Sequence, residues 1–134
     1  ASEMMGTMDE AFARTMDYIR ERKQFGVVIG SFQGLKHRAA DMFTEIELAR
    51  STVLDALSAL DENRDDVPML GALAKAKVGE TLHRVSLEAL QMHGGVGMTD
   101  EFDVGLFLKR ARVQEQAFGG QAFLRDRYAA LAGF

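Results

Sequence analysis

Between Phe32 and Leu60 the residues Phe32, Leu35, Ala39, Met42, Ile46, Ala49, Val53, Ala56 and Leu60 recur at alternating steps of three and four. That spacing draws one narrow apolar seam down a single helix of about eight turns. The one proline of the chain, Pro68, lies beyond its far end, so nothing breaks the run. A rod of this length with one apolar face must lay that face against other helices.

Partner helices are present on both sides. Met5, Met8, Phe12, Thr15 and Ile19 mark a first helix ending near Lys23, and Leu70, Ala74, Val78, Thr81, Val85, Ala89 and Met92 mark a third. Pro68 suits the first turn of that third helix, where its missing N–H costs nothing, and Asp65 and Asp66 complement the positive helix end. Ser31 is the expected N-cap of the long second helix. A fourth helix is expected from about Phe102 to Gln116, and a short last one after Gly119 and Gly120. Val27, Val28 and Ile29 read as a short extended piece with nothing to pair with. Short loops make successive helices antiparallel neighbours. The expectation is an all-α, up-down-up-down four-helix bundle with a short extra C-terminal helix, one domain over residues 1–134. Eight methionines fit the irregular gaps between such helices.

Composition removes several function classes. There is no cysteine, so disulfides and thiolate metal sites are excluded. That absence is compatible with a cytoplasmic location, which is the expectation. The net charge is −4, with sixteen basic residues scattered among twenty acids, and this offers no footprint for nucleic acid. No apolar stretch reaches the length of a membrane span. A di-iron bundle needs two Glu-x-x-His motifs on separate helices, and only Glu80 with His83 qualifies. With just His37, His83 and His93 in the chain, no metal site is expected. No nucleophile elbow supports Ser-His-Asp chemistry.

Two loops carry residues suited to a ligand. Arg22-Lys23-Gln24-Phe25-Gly26, followed by Gly30-Ser31-Phe32-Gln33, joins the first two helices. Arginine offers a planar fork of donors matching phosphate oxygens, and phenylalanine a face for stacking. The same residues also suit a solvated turn with Phe25 over the bundle end. Gln91-Met92-His93-Gly94-Gly95-Val96-Gly97 ends the third helix. Paired glycines there serve a left-handed cap or permit close approach of a ligand to the backbone. The segment is no dinucleotide fingerprint, since the G-x-G-x-x-G spacing fails after Gly97.

In order and spacing these segments resemble the acyl-CoA dehydrogenase family. Y-I-R-E-R-K-Q-F-G from Tyr18 to Gly26 is similar to the family's Y-x-x-x-R-x-x-F-G stretch. The segments G-S-F-Q, Gly30 to Gln33, and Q-M-H-G-G-V-G, Gln91 to Gly97, are similar to its next two signatures. The long second helix, with Glu45, Leu48, Ala49 and Arg50, matches as well. The likeness runs over about residues 6 to 131. It implies the C-terminal helical domain of a subunit that also has an N-terminal helical domain and a middle β-domain. The implied cofactor is FAD, bound across a subunit interface. Arg22 would hold its pyrophosphate, with Gln24 beside it, Phe25 against the adenosine end and Gln33 near the adenosine. Gln91, Gly94 and Gly95 would contact the ADP portion. The implied partners are an acyl-CoA substrate, a second copy or a related subunit, and an electron acceptor such as an electron-transfer flavoprotein. With the β-domain absent, the 134 residues alone are expected to bind little or no FAD.

The resemblance fails at one position. The family commonly carries an I-Y-E-G-T segment whose Glu removes the α-proton of the acyl thioester. Counting without gaps from Gly97 puts Phe118 in that place, a one-residue slip puts Gly119 there instead, and neither accepts a proton. The following polar cluster becomes Gly120-Gln121-Ala122. No catalytic residue is therefore expected within the chain. Glu115, one helical turn earlier, is a weak substitute, and the alternative base position used in some family members falls before Ala1. The resemblance accordingly leaves open a dehydrogenase with its base elsewhere, a non-catalytic subunit of a heteromeric enzyme, and an oxidase or monooxygenase of the same superfamily.

Overall fold

The computed structural model describes all residues, Ala1–Phe134. The elements are α1 (Ser2–Glu21), β1 (Lys23–Gln24), β2 (Val27–Val28), a 3-10 turn (Ile29–Ser31), α2 (Gln33–Asp61), α3 (Val67–His93), a second 3-10 turn (Gly94–Met98), α4 (Val104–Gln116) and α5 (Gln121–Ala132). The all-α bundle expected from periodicity is present.

Helix directions follow from what sits at each end. Ala1 shares a hollow with Leu57 and Leu60, near the end of α2, and with Gly71, near the start of α3. At the other end the Tyr18 hydroxyl donates to the His93 carbonyl at 3.3 Å. The α1 and α3 helices thus run the same way, with α2 opposed. The α4 helix also opposes them: Arg14 reaches Asp103 at its start at 2.6 Å, and Gln114 reaches Thr7 at 3.0 Å near its end. The α5 helix returns along α3, with the Gln121 amide donating to the Ala76 carbonyl at 2.9 Å.

The seam of α2 is buried where the bundle is continuous, at Met42, Ile46, Ala49 and Val53, whereas its ends Phe32 and Leu60 are exposed. Every α3 position expected inside is buried, together with Leu82, Ser86, Ala72 and Gly79 on a second side. The reason is location: α3 packs on α1, α2, α4 and α5 together, so one stripe cannot serve all its neighbours. Five of the eight methionines, Met4, Met5, Met8, Met42 and Met92, are core residues, the packing use expected of them.

Local structure corrects the sequence reading in three places. Ser31 does not cap α2; the cap position is Phe32, without a side-chain bond, and the Ser31 hydroxyl donates to the Val28 carbonyl at 2.6 Å. The chain bends into a 3-10 turn before the helix starts, which moves the cap one residue on. Val27–Val28 is also not an isolated strand, since it pairs antiparallel with Lys23–Gln24. The chain reverses through Phe25 and Gly26, whose φ values of 55° and 80° are those of a I′ hairpin turn. Arg22 is already extended, so α1 stops at Glu21 rather than at Lys23.

Polar ties lock the helices at their rims. Arg50 places two nitrogens on the two Asp9 oxygens at 2.7 and 3.1 Å, joining α2 to α1. Lys77 on α3 donates to Glu45 on α2 at 2.5 Å, which holds the Glu45 carboxyl below its ordinary 4.5 against a smaller opposing effect of burial. A carboxyl depressed on folding stabilises the protein above its unfolded value and loses that contribution as pH falls through the folded one. Lys77→Met is therefore expected to cost under about 1 kcal/mol at neutral pH, the range of a partly exposed pair. Its deficit relative to wild type should shrink as urea melts are taken to pH values below 4.5. A constant deficit across that range would contradict the pairing.

Candidate functional site

Two segments far apart in sequence meet at the α1/α3 end of the bundle. The hairpin β1–β2 projects from the end of α1, and the Gly94–Met98 turn projects from the end of α3. Between them lies a cleft of about 460 Å³ walled by Arg22, Gln24 and Phe25 on one side and by Gln91, Gly94 and Gly95 on the other. Six of the seven binding residues expected from sequence are thus brought together. The seventh, Gln33, is the first residue of α2; it is exposed and stands outside this wall.

The wall is suited to an anion with rings attached. Arg22 makes no ion pair within the chain, whereas Arg14, Arg38, Arg50 and Arg64 are all paired with carboxylates. Its guanidinium is therefore free for an incoming charge. Gly94 and Gly95 have open space where side chains would stand, leaving bare backbone on the cleft floor. Phe25 is 89% exposed and holds a left-handed backbone that a bulky side chain ordinarily avoids. Its ring meets Phe32 edge to face at 6.1 Å, and its other side is open. A strained, exposed aromatic contributes little to the fold and presents a stacking face at the cleft mouth.

A second, larger cleft of about 530 Å³ lies between α1 and α4 and shares Tyr18, Arg22 and His93 with the first. Asp17, Glu21, Glu101 and Asp103 line it, so it repels phosphate, and its Arg14 is held by Glu10 and Asp103. Sequence reasoning missed the shared partition. Tyr18 stacks on the His93 ring at 4.2 Å, and Phe102 meets both rings edge-on. The available signal was the placement of Tyr18 one helical turn before Arg22.

Phe118 is at the opposite end of the molecule, beside Ala1, Pro68 and Lys75. It is 97% exposed, with φ 61° in the corner between α4 and α5. Lys75 fastens that corner by donating to the carbonyls of Gln114 and Glu115 at 2.9 and 3.1 Å, carbonyls left without helical partners at the end of α4. Burial lowers the pKa of this ammonium, with the Glu115 charge opposing. The Glu115 carboxylate turns inward, 3.9 Å from His83 and 3.6 Å from Arg112, and does not share the exposed tip of Phe118. Glu80 pairs with Arg125. No three His, Cys, Asp or Glu side chains converge as a metal site. No helix is long and apolar enough to cross a membrane.

Residues 1–132 match the family model described as acyl-CoA dehydrogenase, C-terminal domain. The chain belongs to the acyl-CoA dehydrogenase family. Among curated relatives, acyl-CoA dehydrogenase IpdE2 of Mycobacterium tuberculosis is 39% identical over 116 residues, which is 87% of this chain and 35% of that protein. The chain spans about a third of the length of the curated relatives it matches. Among solved structures, the ChsE4-ChsE5 complex from Mycobacterium tuberculosis superposes with a TM-score of 0.89 at 30% identity, covering 98% of this chain and 36% of that one. The FAD complex of PigA gives 0.90 at 25% identity, covering 97% and 34%. Within this acyl-CoA dehydrogenase domain, the Arg22 cleft and the Phe118 corner lie at opposite ends of α1. Twenty helical residues separate them, roughly 30 Å of rise.

Proposed function

We propose that this chain is the flavin-facing part of an FAD-dependent acyl-CoA dehydrogenase that oxidises an acyl-CoA thioester between its α- and β-carbons. The observation that carries this reading is the cleft itself, where an unpaired Arg22, bare glycine backbone and an exposed Phe25 converge. Arg22 would hold the pyrophosphate, Gln24 would lie beside it, and Phe25 would stack at the adenosine end. Gln91 and the backbone of Gly94 and Gly95 would border the ADP portion, and Gln33 would approach the adenosine from outside the wall. When bound, FAD supplies the acceptor for the hydride leaving the β-carbon.

The separation of roughly 30 Å along α1 favours two different flavin sites for the two ends of this domain. The Arg22 end would complete a neighbouring subunit's site, which makes the assembly a homo-oligomer or a hetero-oligomer with a related subunit. A soluble electron carrier such as an electron-transfer flavoprotein would take the electrons, and a cytoplasmic location fits such a carrier.

A second reading has its own observation. By the ungapped count from Gly97, Phe118 would stand in the place of the usual base, where it cannot take a proton, so this subunit would complete a partner's FAD site while the partner supplies the carboxylate. The experiment is purification of the full-length protein alone and with a base-bearing related subunit. Retained flavin is expected in the assembly, with acyl-CoA-dependent bleaching only when the partner is present. Protein that neither carries nor takes up FAD would refute the flavin reading. Bleaching by the lone protein would place the base in its own chain.

A further inference from the structure

His93 is held far more tightly than packing requires. It is 6% exposed, its Nδ1 lies 2.8 Å from the Ala89 carbonyl, and its ring stacks on Tyr18 and meets the edge of Phe102. The Gly94–Met98 turn presses on it from behind: a Cβ at Gly97 would lie 2.8 Å from the His93 Cβ, so only glycine permits that approach. A carbonyl oxygen can only accept, so Nδ1 carries the hydrogen in this contact. In the neutral imidazole, Nε2 is then a lone-pair acceptor in a fixed orientation. Nothing in the chain donates to it, and it is not among the sealed, unpartnered polar atoms. His93 lines the Arg22 cleft and the acidic cleft alike; the carboxylates of the acidic one repel a nucleotide, so a nucleotide meets this ring from the Arg22 side.

The ligand group that answers it must be a donor. Phosphate oxygens are not donors at neutral pH, and Arg22 in the same wall already suits the phosphate. In a nucleotide the groups bonded next to a phosphate are sugars, whose hydroxyls donate readily. We propose that His93 is a binding residue whose Nε2 accepts a hydrogen bond from a sugar hydroxyl of the nucleotide held in the Arg22 cleft. This rests on the flavin reading above, but it assigns a residue and a chemical group which that reading does not need.

Two substitutions in the full-length assembly separate this role from a structural one. His93→Asn keeps a donor near the Nδ1 position, preserving the Ala89 contact, and removes the acceptor at Nε2. His93→Gln does the reverse, placing its amide where Nε2 stood. The expected result is that the Asn variant binds FAD about tenfold more weakly, the scale of one hydrogen bond, while the Gln variant stays within about threefold of wild type. Melting temperatures of both variants serve as the fold control. The same ratio in titrations with ADP assigns the adenosine ribose, and a ratio confined to FAD assigns the ribityl chain. Equal affinities, or loss in Gln with retention in Asn, would overturn the proposal. Failure of wild type to bind FAD would instead sink the flavin reading.

Discussion

Arg22→Ala in the full-length assembly is expected to weaken FAD binding by about ten- to a hundredfold while leaving the melting temperature nearly unchanged. The size follows from the bond type, since hydrogen bonds to a charged group contribute about 1.5–3 kcal/mol and each 1.4 kcal/mol is tenfold in affinity. The absence of a stability effect follows from the structure. The Arg22 side chain makes no ion pair, and its structural work is done by its backbone, which bonds to Tyr18 and Ile29 whatever the side chain is. Arg22→Lys should recover only part of the loss, because an ammonium keeps the charge but not the planar fork. Titration of apoprotein with FAD, alongside a thermal melt, gives both readouts. Unchanged affinity in the alanine variant would mean that the cleft is not the pyrophosphate site.

How much of this was legible beforehand depended on the range of the interaction. The α2 seam was readable because helical burial repeats every three or four residues, and Met42, Ile46, Ala49 and Val53 are buried as their spacing requires. The hairpin was not, because the partner of Val27–Val28 is the polar pair Lys23–Gln24, which carries no strand pattern. What makes it is a turn at Phe25, a residue type that seldom adopts positive φ. The second buried side of α3 was hidden for another reason. The α3 helix also packs on α4 and α5, which follow later in the chain, and periodicity within one helix does not count its neighbours. In the site, ordered motifs singled out Arg22 and Gly94, and the two line one cleft although they are far apart in sequence. The stacking of Tyr18 on His93 and the distance of Phe118 from the cleft are tertiary facts that no local spacing encodes.

Leu82→Ala is expected to cost the 134-residue chain about 2–5 kcal/mol in a denaturant melt, the range for emptying a well-packed aliphatic site. Leu82 is completely buried in the main cluster, on the helix that packs against four others, so little can move in to fill the hole. A domain of this size holds about 5–15 kcal/mol in all, and the change would remove a large share of it. Phe43→Ala, at a position 54% exposed, deletes a larger side chain and should cost well under half as much, because most of that surface already faces water. Equal losses at the two positions would show that α3 is not the packing centre. The contrast with Arg22→Ala matters for function as well. In the full-length assembly Leu82→Ala should lower the melting temperature yet leave FAD affinity intact while the fold persists, and Arg22→Ala should do the opposite. If both variants lost affinity and stability together, the cleft would owe its shape to the packing of α3 rather than to the residues that line it.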